Sequence, residues 1–134
     1  MPLTARRALK QALETLCADT PAAYFRIESE LSGIRIWLDV EGECFGIAIE
    51  GAQAQLTDVC EQPDALVSTR RATVLALLAG ERLLLDAVLA RELTVQADVN
   101  LLDRIARACQ AFSEGALRSR RVRAQFDNLR TAWQ

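Results

Sequence analysis

At 134 residues, with 51% hydrophobic and 25% charged side chains, the chain has the composition of one globular domain able to bury a core without disulfide or metal staples. A formal net charge of −2 and a pI near 5.2 exclude the basic profile of a general nucleic-acid binder. The complete lack of histidine removes the commonest general base and a principal metal ligand.

No stretch reaches the roughly 18 uncharged apolar residues of a membrane span. The opening, MPLTARRALKQALETLCADT, has no apolar run ahead of a small-residue cleavage site, so the expectation is a cytoplasmic protein. Cys17, Cys44, Cys60 and Cys109 form no C-x-x-C pair. A zinc site would need four scattered thiolates, against the close spacing such sites use. The cysteines read as buried or half-buried free thiols, and no metal or cofactor is expected.

In chain order, Thr4 is placed to cap a first helix running to about Ala18, with Leu9, Ala12, Leu13 and Leu16 on one face. Thr20-Pro21 reads as an N-cap followed by proline at the first helical position. It opens either a short helix over Ala22 to Leu31 or a strand through Tyr24-Phe25-Arg26-Ile27, and Ser32-Gly33 stops it. From Ile34 the period becomes two: Ile34, Ile36, Leu38 and Val40 alternate with polar residues and Trp37 up to a Glu41-Gly42 turn. Cys44 to Glu50 follows, with Phe45, Ile47 and Ile49 on one face and small Gly46 and Ala48 on the other, which allows close packing there. Strands are expected at Gln55 to Val59 and, after Pro63-Asp64, at Ala65 to Ser68. Short consecutive strands with tight turns predict an antiparallel meander.

Helical spacing returns at Arg71 and runs through Val74, Leu75, Leu77 and Leu78 to a break at Gly80. Residues Glu81 to Ala90 predict a helix that is apolar on nearly every side, with Asp86 its lone exception inside the run from Leu83. Such a helix is expected to be buried on several sides. A strand over Leu93 to Ala97 and a cap at Asp98 or Asn100 lead to a helix striped with Leu101, Leu102, Ile105, Ala108, Cys109 and Phe112. Arg104 and Arg107 are read on its opposite side. Residues 116–134 hold five arginines against Asp127, a net of +4, leaving −6 for residues 1–115. Val122, Phe126, Leu129 and Trp133 make this tail an amphipathic basic helix. The resulting organisation is a helical segment over 1–33, a core over 34–115 and the basic helix over 116–134, together one domain.

Nothing in the chain assembles catalytic chemistry. There is no dinucleotide fingerprint, phosphate loop or G-x-S-x-G, and carboxylates such as Asp58, Asp64, Asp86 and Asp98 are scattered. A non-enzymatic protein is expected.

Pro63-Asp64, the strand Asp64-Ala65-Leu66-Val67-Ser68-Thr69, the leucine-rich helix from Val74 ending at Gly80, the Leu- and Ala-rich run Leu83 to Ala90, and Glu92-Leu93-Thr94-Val95-Gln96-Ala97-Asp98 together resemble the sterol carrier protein 2 family, whose last strand reads "gKLxvxGD". The hairpin from Ile34 through Glu50 to Leu56-Thr57 matches the family's opening strands, so the resemblance covers roughly residues 34 to 112. Two glycines of the pattern are missing: Ala90-Arg91-Glu92 stands before the last strand, and Ala97 stands before Asp98. Glycine permits backbone conformations that other residues avoid, so the turns flanking this strand are expected to differ.

The resemblance implies an α/β fold in which helices cover a mainly antiparallel five-stranded sheet, with an apolar tunnel between them for a sterol, fatty acyl or isoprenoid chain. It also implies a place for the spare apolar surface of the Leu83 to Leu89 helix, as the wall of that cavity. The residues expected to line it are Leu78, Leu84, Leu85, Val88, Leu89, Leu101 and Ile105, with Phe45 and Ile47 from the sheet; the competing assignment for each is core packing. Arg70, Arg71 and Arg82 are candidates for a lipid headgroup. The partners expected are therefore a lipid or fatty acyl ligand, a second copy of the chain, and an anionic membrane surface met by residues 116–134. The other reading is an interaction or dimerisation module, since the family includes accessory modules attached to lipid-processing enzymes or serving ubiquinone biosynthesis.

Overall fold

The computed structural model describes residues 4–51 and 53–133. Helix α1 (Ala5–Asp19) begins where expected: Thr4 Oγ1 accepts from the Arg7 N–H at 3.2 Å. A second cap comes from far away in sequence. The Glu43 carboxylate accepts from the Ala5 and Arg6 N–H groups at 2.7 and 3.0 Å, satisfying two of the donors every helix start leaves over. Helix α2 (Pro21–Leu31) decides the ambiguity over residues 22–31 in favour of helix. Thr20 precedes it, but its side chain makes no cap there. The hydroxyl instead donates back to the Leu16 carbonyl at 3.1 Å, closing α1.

Five strands follow: β1 (Arg35–Val40), β2 (Glu43–Glu50), β3 (Gln53–Thr57), β4 (Ala65–Thr69) and β5 (Leu93–Gln96). The β1–β2 hairpin pivots on Glu41 and Gly42 at φ 52° and 91°, the two positive values that a two-residue turn matching strand twist requires. Gly42 N–H donates to Asp39 Oδ1 at 2.8 Å. Pairing of Glu50 with Gln53 starts β3 two residues earlier than the periodicity predicts.

The sheet order is β3-β2-β1-β4-β5. The first three strands form an antiparallel meander, but β4 does not continue it. It crosses to the free edge of β1 and runs parallel to it, with Ile36 opposite Ala65. The connection over residues 58–64 is too long for a hairpin. It folds across the outer face of β2, where a Cβ on Gly46 would come within 2.9 Å of Cys60 Cβ. The small residue read as permitting close packing thus admits the chain's own crossover. Asp64 locks the arrival: its N–H donates to the Arg35 carbonyl at 2.8 Å and its carboxylate accepts from the Arg35 N–H at 2.8 Å. The sheet is therefore mostly antiparallel, with one parallel pair.

Helices α3 (Arg71–Leu78), α4 (Leu84–Leu89), α5 (Val99–Leu117) and α6 (Arg120–Ala132) complete the chain. Gly80 breaks α3 at φ 77°. The expected helix from Glu81 starts only at Leu84, because the Glu81 and Arg82 N–H groups are used on the Ala76 carbonyl to close α3. Asp98 caps α5 by accepting from the Leu101 N–H at 2.8 Å. Arg104 and Arg107 do not simply face water: Arg104 Nε donates to the Glu30 carbonyl at 2.8 Å and Arg107 Nε to the Glu30 carboxylate at 3.0 Å, clamping the end of α2. Gly115 lets α5 meet α1 and α2, since a Cβ there would sit 2.6 Å from Ala23 Cβ. One buried cluster joins α1, α2, α5 and α6; a second joins β1, β4, β5, α4 and α5.

The apolar stripe of the tail is spent inside the molecule. Val122, Phe126 and Leu129 are buried with residues of α1 and α5. Gln134 lies outside the described residues. No helix among the described residues is long and apolar enough to cross a membrane.

Candidate functional site

The helices do not fill the inner face of the sheet completely. An apolar space of about 150 Å³ remains between α1, α2, α3 and α5 on one side and the strands on the other. Sheet residues Ile36, Ile47 and Val67 form its floor, and Leu13, Ile105 and Phe112 its helical roof. The period-two placement of isoleucine and valine points these side chains inward, and the helical stripes of α1 and α5 bring leucine, isoleucine and phenylalanine down onto them. One polar side chain, Thr69, borders it, and its hydroxyl already donates to the Glu92 carbonyl at 3.2 Å.

Cys109 also lines the space, and desolvation there pushes its thiol up to about 11. It is held neutral, a small apolar surface rather than a nucleophile. Cys17 and Cys44 are exposed and Cys60 is half-buried, which corrects the expectation that all four would be sheltered: α1 and β2 each present an outer face. No group of three or more metal-ligating side chains occurs among the described residues.

Of the residues named from sequence, Ile47, Leu78, Leu84 and Ile105 come together on the walls of this space. Phe45 is fully buried beside it, packed with Ala5 and Val40. Val88 and Leu101 pack against the second core cluster without reaching the space. Leu85 and Leu89 point the other way, 48% and 83% exposed, and Leu83 is 64% exposed. Helix α4 buries only Leu84 and Ala87, because six residues packed on one side of a sheet edge leave the far side uncovered. The first two helices also supply part of the wall. Leu9, Leu13, Ile27 and Leu31 all line the space, and the signal that could have found them was the Leu9–Leu13 stripe, which shares the period of the α5 stripe.

The three candidate headgroup arginines lie away from these walls. Arg71 sits over the Trp133 ring, 5.3 Å from its centroid, and near Glu41 at 3.6 Å. Arg82 is bonded to Glu92 and to the Asp86 carbonyl. Arg70 is exposed at the start of α3.

The turn before β5 carries a further departure from expectation. Arg91 adopts φ 62°, a left-handed shape that glycine takes without strain, although no glycine stands at this turn. Ala97 is not among the positive-φ residues.

No protein-family model matches the sequence, and no curated protein matches it. Solved structures do. The chain is similar to a UbiJ-SCP2 ubiquinone synthesis protein at 17% identity and a TM-score of 0.65, covering 81% of this chain and 88% of that one. It is similar to sterol carrier protein domain 2 of Helicoverpa armigera at 14% identity and a TM-score of 0.59, over 79% and 85% of the two chains. For apo sterol carrier protein 2 of Yarrowia lipolytica the values are 11%, 0.57, 84% and 98%. At identities this low the likeness shows the fold alone: the chain has the sterol carrier protein 2 fold.

Proposed function

We propose that this chain, with its sterol carrier protein 2 fold, holds a single aliphatic chain non-covalently between its helices and sheet and carries it without transforming it. The supporting observation is the uninterrupted apolar space, whose one polar neighbour is already satisfied within the protein. Burial of each methylene there contributes ~0.8 kcal/mol, so affinity needs no polar signature. At about 150 Å³ the space matches the size of engineered cavities that take up benzene, and falls below the roughly 300–1,000 Å³ of drug-sized ligand pockets. A longer chain therefore requires the interior to open. Helix α4, six residues long and without a side-chain N-cap, is the element to move, swinging Leu84 off the space.

The test is native mass spectrometry of freshly purified protein, with organic extraction, followed by titration of a fluorescent fatty acid into wild type and Leu78→Trp. Leu78 is partly buried on the wall of the space, so the larger ring occupies it without adding a charge. A lipid near one per chain, with uptake weakened about tenfold or more in the variant, supports the carrier. Lipid-free protein that refuses the fatty acid sinks it.

A second reading, an interaction module accessory to a lipid-processing enzyme or to ubiquinone synthesis, is favoured by one specific observation. Leu83, Leu85 and Leu89 stand exposed together around one short helix, which is how a surface awaiting a protein partner looks. Light scattering that shows a dimer, dispersed by Leu89→Asp, would favour it.

A further inference from the structure

The apolar space shares a wall with a basic groove. Leu78 and Phe112 line the space, while their chain neighbours Ala79 and Ser113 line an open groove of about 590 Å³ between α5 and α6. Phe126 lines the groove as well, and it stacks on Phe112 with centroids 5.9 Å apart and planes at 28°. The Phe112–Phe126 pair thus forms part of the wall between the two compartments.

The outer side of the groove is charged. Arg120, Arg123, Asp127 and Arg130 recur at helical spacing along α6. The groove's two acids, Glu81 and Asp127, are both engaged by Arg130. Arg121 pairs with Asp19, away from the groove. Arg120 and Arg123 are exposed and have no ion pair among the described residues. Their place in the first turns of α6, where the helix dipole disfavours cations, gains the fold nothing.

We infer that the groove takes the oxyanion head of the carried lipid, a carboxylate or phosphate held by Arg120 and Arg123, with the chain passing the Phe112–Phe126 pair into the apolar space. The inference rests on the carrier reading and narrows it, from any apolar molecule to a single-chain lipid with an anionic head. A guanidinium presents parallel N–H donors that match both oxyanions, and the neighbouring Ala116, Leu117 and Ala124 accept the first methylenes beyond the head.

The test titrates dodecyl phosphate, dodecanoate, dodecanol and inorganic phosphate, below micellar concentration, into wild type and an Arg120→Gln/Arg123→Gln variant. Both positions are exposed, and circular dichroism checks the fold. Wild type is expected to bind the two anionic amphiphiles about tenfold tighter than dodecanol. The advantage should shrink with added salt and vanish in the variant, while dodecanol binding stays the same. Whichever anion binds tighter identifies the head. Equal binding of anionic and neutral amphiphiles in wild type, or an unchanged preference in the variant, overturns the head site and leaves the carrier standing. Inorganic phosphate binding as tightly as dodecyl phosphate overturns it too, because the chain would then contribute nothing. Failure of all three amphiphiles overturns the carrier reading and the head site with it.

Discussion

Helix α4 is apolar on nearly every side and helix α6 is mostly polar with one apolar stripe, and the fold treats their apolar side chains in opposite ways. Over thirteen residues α6 spaces Val122, Phe126 and Leu129 along one stripe, and all three are buried. Helix α4 has six residues, apolar nearly all round, and leaves Leu85 and Leu89 in solvent. The comparison shows that periodicity, rather than apolar content, determines burial. A stripe matches one groove between neighbouring helices, whereas a short helix with leucine on every side can satisfy only the side it lays down. Capping follows the same division. Ser119 is 1% exposed and is hydrogen-bonded both to Asp19 Oδ2 at 2.7 Å and to the Val122 N–H at 3.2 Å, while the start of α4 has Leu83 in the cap position and no side-chain bond.

Four substitutions break or sharpen this contrast. Phe126→Ala removes a buried ring stacked on Phe112 and should cost ~3–5 kcal/mol in urea unfolding; a loss below about 1 kcal/mol would mean that α6 is not docked in solution. Ser119→Ala deletes the cap and the tie to α1, with an expected loss of ~1–2 kcal/mol, read as a lower denaturation midpoint at an unchanged slope.

Asp19 gives a smaller, pH-dependent effect. The Arg121 side-chain hydrogen bond first, and that of Ser119 second, hold its carboxyl below the ordinary 3.8. Because the folded value is the lower one, the contribution is fully present above pH 4 and is lost as pH falls through the depressed value. Wild type should therefore lose more stability than Asp19→Asn between pH 6 and pH 2, and parallel losses would contradict the assignment. Leu89→Gln, at the other extreme, should change stability by no more than ~0.5 kcal/mol. A larger drop, accompanied by a change in molecular mass, would reveal a partner covering α4.

The cysteines provide an independent check on the interior. With its thiol at about 11, Cys109 should resist alkylation at pH 8 while the exposed Cys17 and Cys44 react. Protection of Cys109 lost on opening of the interior, and restored by a bound fatty acid, would report directly on the apolar space.

The amino-acid sequence by itself determined the elements that rest on local forces. Thr4 and Asp98 cap their helices, Glu41-Gly42 turns its hairpin, and the stripes of α1, α5 and α6 face inward because 3.6-residue spacing leaves no other way to bury them. The inward set of sheet residues, Ile36, Ile47 and Val67 among them, follows from strict alternation. Tertiary structure alone decided the rest. The parallel seating of β4 depends on residues 58–64 crossing over Gly46 and on Asp64 meeting Arg35, contacts between positions that no local period links. The left-handed turn at Arg91 is a local exception, closing α4 through the Arg91 N–H to the Val88 carbonyl and the Glu92 N–H to the Ala87 carbonyl, a helix end whose shape glycine would favour. Which of the leucines around α4 are covered was settled by how much neighbouring surface the folded sheet edge offers, and a sequence records the apolar side chain without recording what will stand opposite it.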